Sequence, residues 1–290
     1  MPQKQFFLVC LLFVPLSGMC QTTTKDSVMS PEYDPVHWAY SSFFGTGWYE
    51  IRDNRSIFVL RVPPRQTLRE PGFTESGERQ LGISIQYPLT LGLHSIDDLS
   101  GIIDQDNFGT ISFTPGVEIE VPINKRWYLR TFAHLGWGTD LETNDSVWIY
   151  YTGVKSRYTF DQRKYKWDLL SGIYYAGFTP DNGKSDDIAT AQLGVEFHHP
   201  LRTANVAGRA IDMHYNFMYS FLGNDLHFGL PEGDFDIVQD QLEVGIAMSF
   251  REGPYKLWFF NVDRLALGYK FTSKGQFKAI TLSMSSWFNK

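Results

Sequence analysis

From about residue 44 to the C-terminus, apolar and polar positions alternate along the chain. In 82–94 the odd positions are Ile83, Ile85, Tyr87, Leu89, Leu91 and Leu93. The even ones are Gly82, Ser84, Gln86, Pro88, Thr90, Gly92 and His94. In 110–121, Ile111, Phe113, Pro115, Val117, Ile119 and Val121 alternate with Thr110, Ser112, Thr114, Gly116, Glu118 and Glu120. The pattern returns around Leu193 and Val195, around Tyr215 and Phe217, and around Val244 and Ile246. Period two is the signature of a strand with one apolar and one polar face. Several runs reach ten residues or more, against about five or six for an ordinary strand. That length suits strands that cross a membrane, which need about 9–11 residues each.

Twelve strands are predicted: 45–53, 55–64, 80–94, 108–123, 126–139, 146–159, 164–179, 188–200, 207–221, 237–250, 255–271 and 275–288. Their connections sort by parity. Those after strands three, five, seven and nine are longer (95–107, 140–145, 180–187, 222–236). Those after four, six and ten are short (124–125, 160–163, 251–254). Short turns on one side and longer loops on the other are the habit of an outer-membrane barrel. Two connections break the rule, a short one at 53–54 and a long one at 65–79. The expected fold is therefore all-β: a transmembrane antiparallel up-and-down β-barrel of about twelve strands.

Side-chain chemistry fits that frame. Trp127 and Trp137 lie ten residues apart on one face, which on a strand tilted by about 45° is roughly 23 Å of height. They are expected to stand in the two aromatic girdles of a membrane barrel. Ile280, Leu282, Met284, Ser286 and Phe288 share a predicted face at the extreme C-terminus. This looks like the signal by which the barrel assembly machinery recognises its substrates. Glu118, Glu120, Arg130, Lys155, Arg157, Glu196, Asp212, Glu243, Arg264 and Lys270 fall on predicted lumen positions. Charges cost about 2–4 kcal/mol facing lipid at the midplane, whereas inside a barrel they can pair or hydrate. They are read as a network that braces the lumen, or as the lining of a narrow pore.

Composition adds boundaries. The 290 residues are 43% hydrophobic and 16% aromatic, with a formal net charge of -6. Mean hydropathy is -0.24, and no apolar run approaches the roughly 18–20 residues of a spanning helix. No basic run suggests nucleic acid. Lys4 followed by the apolar stretch 6–16 and small residues to Cys20 reads as a secretory signal peptide, residues 1–20. Residues 21–42 are then a periplasmic or lumen segment, and 43–290 the barrel. Cys10 and Cys20 are the two cysteines, so a chain cleaved near residue 20 has neither a disulfide nor a thiol nucleophile. Met19 and Ser17 fit a lipidation signal at Cys20 poorly.

Three short motifs carry a resemblance: Gly45-Thr-Gly-Trp-Tyr49, Pro115-Gly-Val-Glu118 and His134-Leu-Gly-Trp-Gly138. In this order they resemble the solitary outer-membrane autotransporter-like β-barrel family of Gram-negative bacteria. The resemblance implies a translocator-type barrel without a long secreted passenger. About twenty residues between the leader and the barrel agree with that. It brings no catalytic residues.

Enzymatic barrels need a nucleophile or base near the outer rim. His94, Ser95, Asp97 and His134 are the candidates for a lipid hydrolase of phospholipase or lipid A deacylase type. Loop neighbours rarely form a triad, and no Gly-x-Ser-x-Gly elbow is present. His198, His199 and His214 are weighed as metal ligands. Adjacent strand residues point to opposite faces, so His198 and His199 are not expected to converge. The acidic loop around Asp181, Asp186 and Asp187 reads as a solvated turn. The sequence therefore points to a bacterial outer-membrane barrel, structural or narrowly conducting, with the lipid hydrolase as alternative. No catalytic residue, metal or cofactor is assigned. The expected partners are outer-membrane lipids, lipopolysaccharide and the assembly machinery.

Overall fold

The computed structural model describes residues 39, 41–51, 55–93, 108–141, 143–162, 165–181, 185–206, 208–229, 235–251, 253, 255–257, 260–262, 264–275 and 277–289. The expected signal peptide, most of 21–42, and His94, Ser95 and Asp97 lie outside the described residues.

Twelve antiparallel strands close into a ring. In chain order they are Gly47–Ile51; Arg55–Val62 continued by Arg65–Arg69; Gly82–Gln86 continued by Leu89–Leu93; Phe108–Phe113 continued by Gly116–Asn124; Trp127–Asp140; Ser146–Gln162; Tyr165–Pro180; Asp186–Val206; Arg209–Gly229; Phe235–Phe250; Arg264–Phe271; and Phe277–Ser283. Each pairs with its sequence neighbours, and the first pairs with the last, Gly47 opposite Thr281 and Ile51 opposite Phe277. Closure satisfies the main-chain groups that an open sheet would leave at its edges.

The strands alternate between an exposed apolar face and a buried one. Leu135, Ile173, Leu193, Phe221, Leu265 and Ile280 each expose more than half of their surface, Ile173 as much as 70%. Between such residues stand buried polar groups: Glu118, Arg130, Lys155, Asp168, Glu196 and Arg264. This polarity is the reverse of a water-soluble protein's.

Strands two, three and four each break at proline, after Val62, Gln86 and Phe113. Pro63, Pro64, Pro88 and Pro115 have no N–H to give the ladder. The neighbouring amides mend it: Tyr87 N donates to Pro64 O (2.9 Å), Thr114 N to Pro88 O (3.0 Å) and Leu135 N to Pro115 O (3.1 Å). On strand five Gly136 lies against this seam. A Cβ there would collide with the Phe113 carbonyl oxygen. Two of the motifs quoted above thus meet in space, since His134 is paired with Gly116.

Several boundaries differ from the sequence pattern; strands eight and nine, expected to end at 200 and 221, run on to Val206 and Gly229. The long connection 65–79 is largely structured: strand two runs on to Arg69, and Gly72–Phe73 pairs with Arg79–Gln80. The expected strand 255–271 is two elements. Tyr255–Leu257 pairs with Phe260–Val262 as a separate hairpin, and only Arg264–Phe271 joins the barrel. Alternation is the same in a local hairpin as in a barrel strand, so the pattern could not separate them. Strand twelve ends at Ser283, and Trp287–Asn289 forms a 3-10 turn.

The inside is not uniformly polar. Towards the end with the longer loops, Val147, Ile149, Phe178, Ile188 and Leu222 turn inward and are buried. They belong to one apolar cluster with Ala39, Tyr49 and Phe277, against which Phe43 and Phe44 pack. The short helix Ser41–Phe44 supplies the last two. Phe43 meets Tyr174 edge-on with centroids 6.1 Å apart, and Phe44 meets Tyr49 at 5.4 Å. Gly45, at φ 87°, takes the left-handed turn from this helix into strand one. A lumen filled with protein can be apolar because little water is left there to be displaced.

Candidate functional site

The polar half of the lumen lies toward the end with the short turns. It holds two side-chain clusters, with the C-terminal residues Trp287 and Phe288 drawn inward.

The first cluster joins strands two to six. Arg130, on strand five, makes a charge-assisted pair with Glu120 on strand four, its Nε donating to Oε2 at 3.1 Å. Glu118 Oε2 is 3.3 Å from Arg65 Nη2 and 3.9 Å from Arg130 Nη1. Arg130 Nη1 also donates to the Phe288 carbonyl at 2.6 Å. The Phe288 ring is 1% exposed and takes two guanidinium groups, Arg130 and Arg157, each 4.5 Å from its centroid. Lys155 Nζ donates to the Trp287 carbonyl at 3.2 Å and stands over its ring at 5.4 Å. Trp287 Nε1 donates to Gln192 Oε1 at 3.0 Å.

This corrects the expectation for the C-terminus. Ile280, Leu282 and Met284 face outward, at 54%, 53% and 60% exposure, but Phe288 leaves their face. The physical reason is the set of cations waiting inside: an aromatic face flanked by two guanidinium groups gains a cation–π attraction that the outward apolar face does not offer.

The second cluster joins strands six to eleven. Asp168 Oδ1 accepts from Thr159 Oγ1 at 2.6 Å, and its Oδ2 lies 3.0 Å from His198 Nε2. Glu196 Oε1 is 3.2 Å from His198 Nε2 and 3.3 Å from His214 Nδ1. Glu196 Oε2 is 2.9 Å from Arg264 Nη1. His214 Nε2 stands 2.7 Å from Ser249 Oγ. The two imidazoles are 4.4 Å apart, centre to centre, and steeply inclined. Among the described residues, Glu196, His198 and His214 bring their possible ligand atoms within 4.8 Å of one another.

Sequence reasoning missed this convergence. It weighed His198 against His199 on one strand, whereas the partner is His214 across the ladder. The turn of the hairpin hides the pairing. Val206 faces Arg209 and Asn205 faces Ala210; continued without a break, that register would set His198 against Phe217. An irregularity between Pro200 and Asn205 shifts it, so that His198 faces His214. Pro200 is the signal that could have suggested a break.

The remaining expected residues divide by place. Lys270 pairs with Glu243 at 3.6 Å on strands ten and eleven. Asp212 stands at the short-turn rim, where Arg251 holds it at 2.7 Å. Trp127 and Trp137 point outward, at 37% and 45% exposure. Trp137 is paired with Trp148, and Trp127 Nε1 donates to Ser156 Oγ at 2.9 Å. His134 is not a rim residue. It is buried in the lumen, stacked on Tyr151 at 4.2 Å, with Nδ1 3.0 Å from the Thr114 carbonyl. His199 lies on the outer face among Tyr165 and Phe197.

Above Trp287 is a chamber of about 120 Å³, lined by Lys155, Gln192, Glu243, Tyr174 and Phe43 among others. It has room for a few waters.

No family model matches the chain, and no curated protein matches it. Among solved structures it is similar to the β domain of the Bordetella autotransporter BrkA, at 12% identity and TM-score 0.48, over 82% of this chain and 92% of that one. It is also similar to the transport unit of the Escherichia coli autotransporter AIDA-I, at 9% identity and TM-score 0.44, over 83% and 87%. A loop-deletion mutant of OmpT, an outer membrane protein of Vibrio cholerae, matches at 8% identity and TM-score 0.29, over 82% and 94%. The all-β barrel of about twelve strands expected from the alternating pattern is the architecture found: twelve antiparallel strands closed in a ring.

Proposed function

We propose that this chain is an outer-membrane β-barrel with a braced lumen and a structural role, rather than an open pore. One observation carries the reading. The barrel is apolar outside, aromatic at both heights marked by Trp127 and Trp137, and charged within, with Trp287 and Phe288 held inside by Lys155, Arg130 and Arg157. The outward face suits hydrocarbon, which charged groups enter only at a cost of about 2–4 kcal/mol near the midplane. The short-turn end is then periplasmic. Lipid and lipopolysaccharide are the partners of the outer face, and Ile280, Leu282 and Met284 offer the assembly machinery an apolar terminal strand.

Single-channel recording in planar bilayers tests the braced lumen. The intact barrel is expected to conduct little or no current. Removal of residues 285–290 is expected to raise conductance. Steady porin-like current from the intact protein would overturn the proposal.

A further inference from the structure

We propose that Glu196, His198 and His214, completed by Asp168, form a binding site for one divalent transition-metal ion, zinc being the best fit.

The first argument is spacing. A tetrahedral site with bonds of about 2.0–2.1 Å sets its ligand atoms about 3.3–3.4 Å apart. Here His198 Nε2 to Glu196 Oε1 is 3.2 Å, Glu196 Oε1 to His214 Nδ1 is 3.3 Å, and Asp168 Oδ2 to His198 Nε2 is 3.0 Å. Glu196, His198 and His214 need only small side-chain shifts to contract around an ion, whereas Asp168, 3.0 Å from His198 Nε2, stands outside that mutually close trio and must turn in further to complete the site.

The second is an orphaned ring nitrogen. The His214 side chain is nine-tenths buried, and its Nδ1 has no hydrogen-bond partner although it lies closest to Glu196 Oε1. A buried polar atom left unmatched costs about 1–3 kcal/mol. A metal ion would satisfy it.

The third is the support behind each ligand. Thr159 holds the far oxygen of Asp168, Arg264 the far oxygen of Glu196, and Ser249 Oγ lies against the far nitrogen of His214. Metal ligands are oriented by such outer contacts, and a hydrogen bond on one ring nitrogen fixes the other as the free lone pair. With Nε2–H given to Ser249, Nδ1 is the ligand atom. Two imidazoles and two carboxylates favour zinc over calcium or magnesium, which prefer all-oxygen sites. With Asp168 turned in as the fourth ligand beside Glu196, His198 and His214, the coordination sphere is closed, and the ion would brace strands seven, eight and nine rather than activate water.

The test uses the full purified barrel in detergent, its fold monitored by heat-modifiable migration on gels. After equilibration with zinc and dialysis, elemental analysis is expected to find one zinc per chain. Cobalt(II) is expected to give the visible absorption of a tetrahedral nitrogen–oxygen site. His198→Ala and His214→Ala should each abolish stoichiometric binding, and Ser249→Ala should weaken it about 10–100-fold. His199→Ala, on the outer face, should leave it unchanged. Zinc should raise the unfolding temperature of the parent but not of the two ligand variants. Should any ligand variant fail to fold, His198→Gln with retained migration serves in its place. Absence of zinc from the folded parent, or parent-like binding by the folded His198 and His214 variants, overturns the proposal.

Discussion

Arg130 shows how much of this molecule depends on single buried charges. It is 2% exposed and reaches Glu120, Glu118 and the Phe288 carbonyl at once. Glu118 has a second cation in Arg65, but Glu120 relies on Arg130. Removing one partner of a buried pair strands the other, at a cost of about 3–5 kcal/mol. Replacing both by apolar residues avoids the stranded charge. Arg130→Ala is therefore expected to lower stability by about that amount in urea titrations of the refolded barrel. Arg130→Met combined with Glu120→Leu is expected to lower it markedly less. Equal losses in the two variants would mean that the pair is not the source of the effect.

The strand is the scale at which sequence spoke most clearly. Strands three to six and eight to ten were the most legible, because an alternating face needs no tertiary information. Tyr165–Pro180 illustrates the energetic content: Ile173 is 70% exposed while Tyr174 beside it is 6%. If the outer face meets lipid, position along the strand must matter. Ile173→Arg, near mid-strand, is expected to cost about 2–4 kcal/mol, and Thr179→Arg, at the strand end, about 0–1 kcal/mol. Refolding into lipid vesicles across a urea series measures both. Equal penalties would argue that no hydrocarbon layer surrounds the barrel. What alternation could not show was register and partnership. The proline breaks, the hairpin Tyr255–Leu257 with Phe260–Val262, and the shift that sets His198 against His214 all depend on which strand lies alongside. Phe288 was misplaced for the same reason. Its outward neighbours obey the pattern, but its destination is decided by Arg130 and Arg157, which lie well over a hundred positions earlier in the chain.

At the scale of the whole molecule the decisive contact is the one farthest apart in sequence, strand one against strand twelve. Among the described residues, five ladder pairs, Gly47–Thr281 through Ile51–Phe277, close the ring, with Leu282 N donating to Thr46 O just beyond them. Trp48 and Ile280 are one of these pairs, and both point outward, so neither contributes to the packed lumen. Directly opposed residues of an antiparallel pair hold their Cβ atoms about 4.5–5.5 Å apart, within a modest adjustment of the roughly 3.5–4.5 Å of a disulfide. Cysteines at both positions, in a chain with Cys10 and Cys20 changed to serine, should therefore oxidise to a bridge in the folded barrel. Boiled without reductant, the bridged chain is a large covalent loop and should migrate apart from the reduced chain. Trp48→Cys combined with Ile246→Cys, on strand ten, should give no such species, because two strands lie between them. The bridge should also delay heat-induced unfolding, since the seam is, together with strand one against strand two, the shortest ladder in the ring and so among the least costly places to open it. If both cysteine pairs cross-link alike, the contact is a collision of mobile ends; if only the first does, the ring is closed where the five-residue seam closes it.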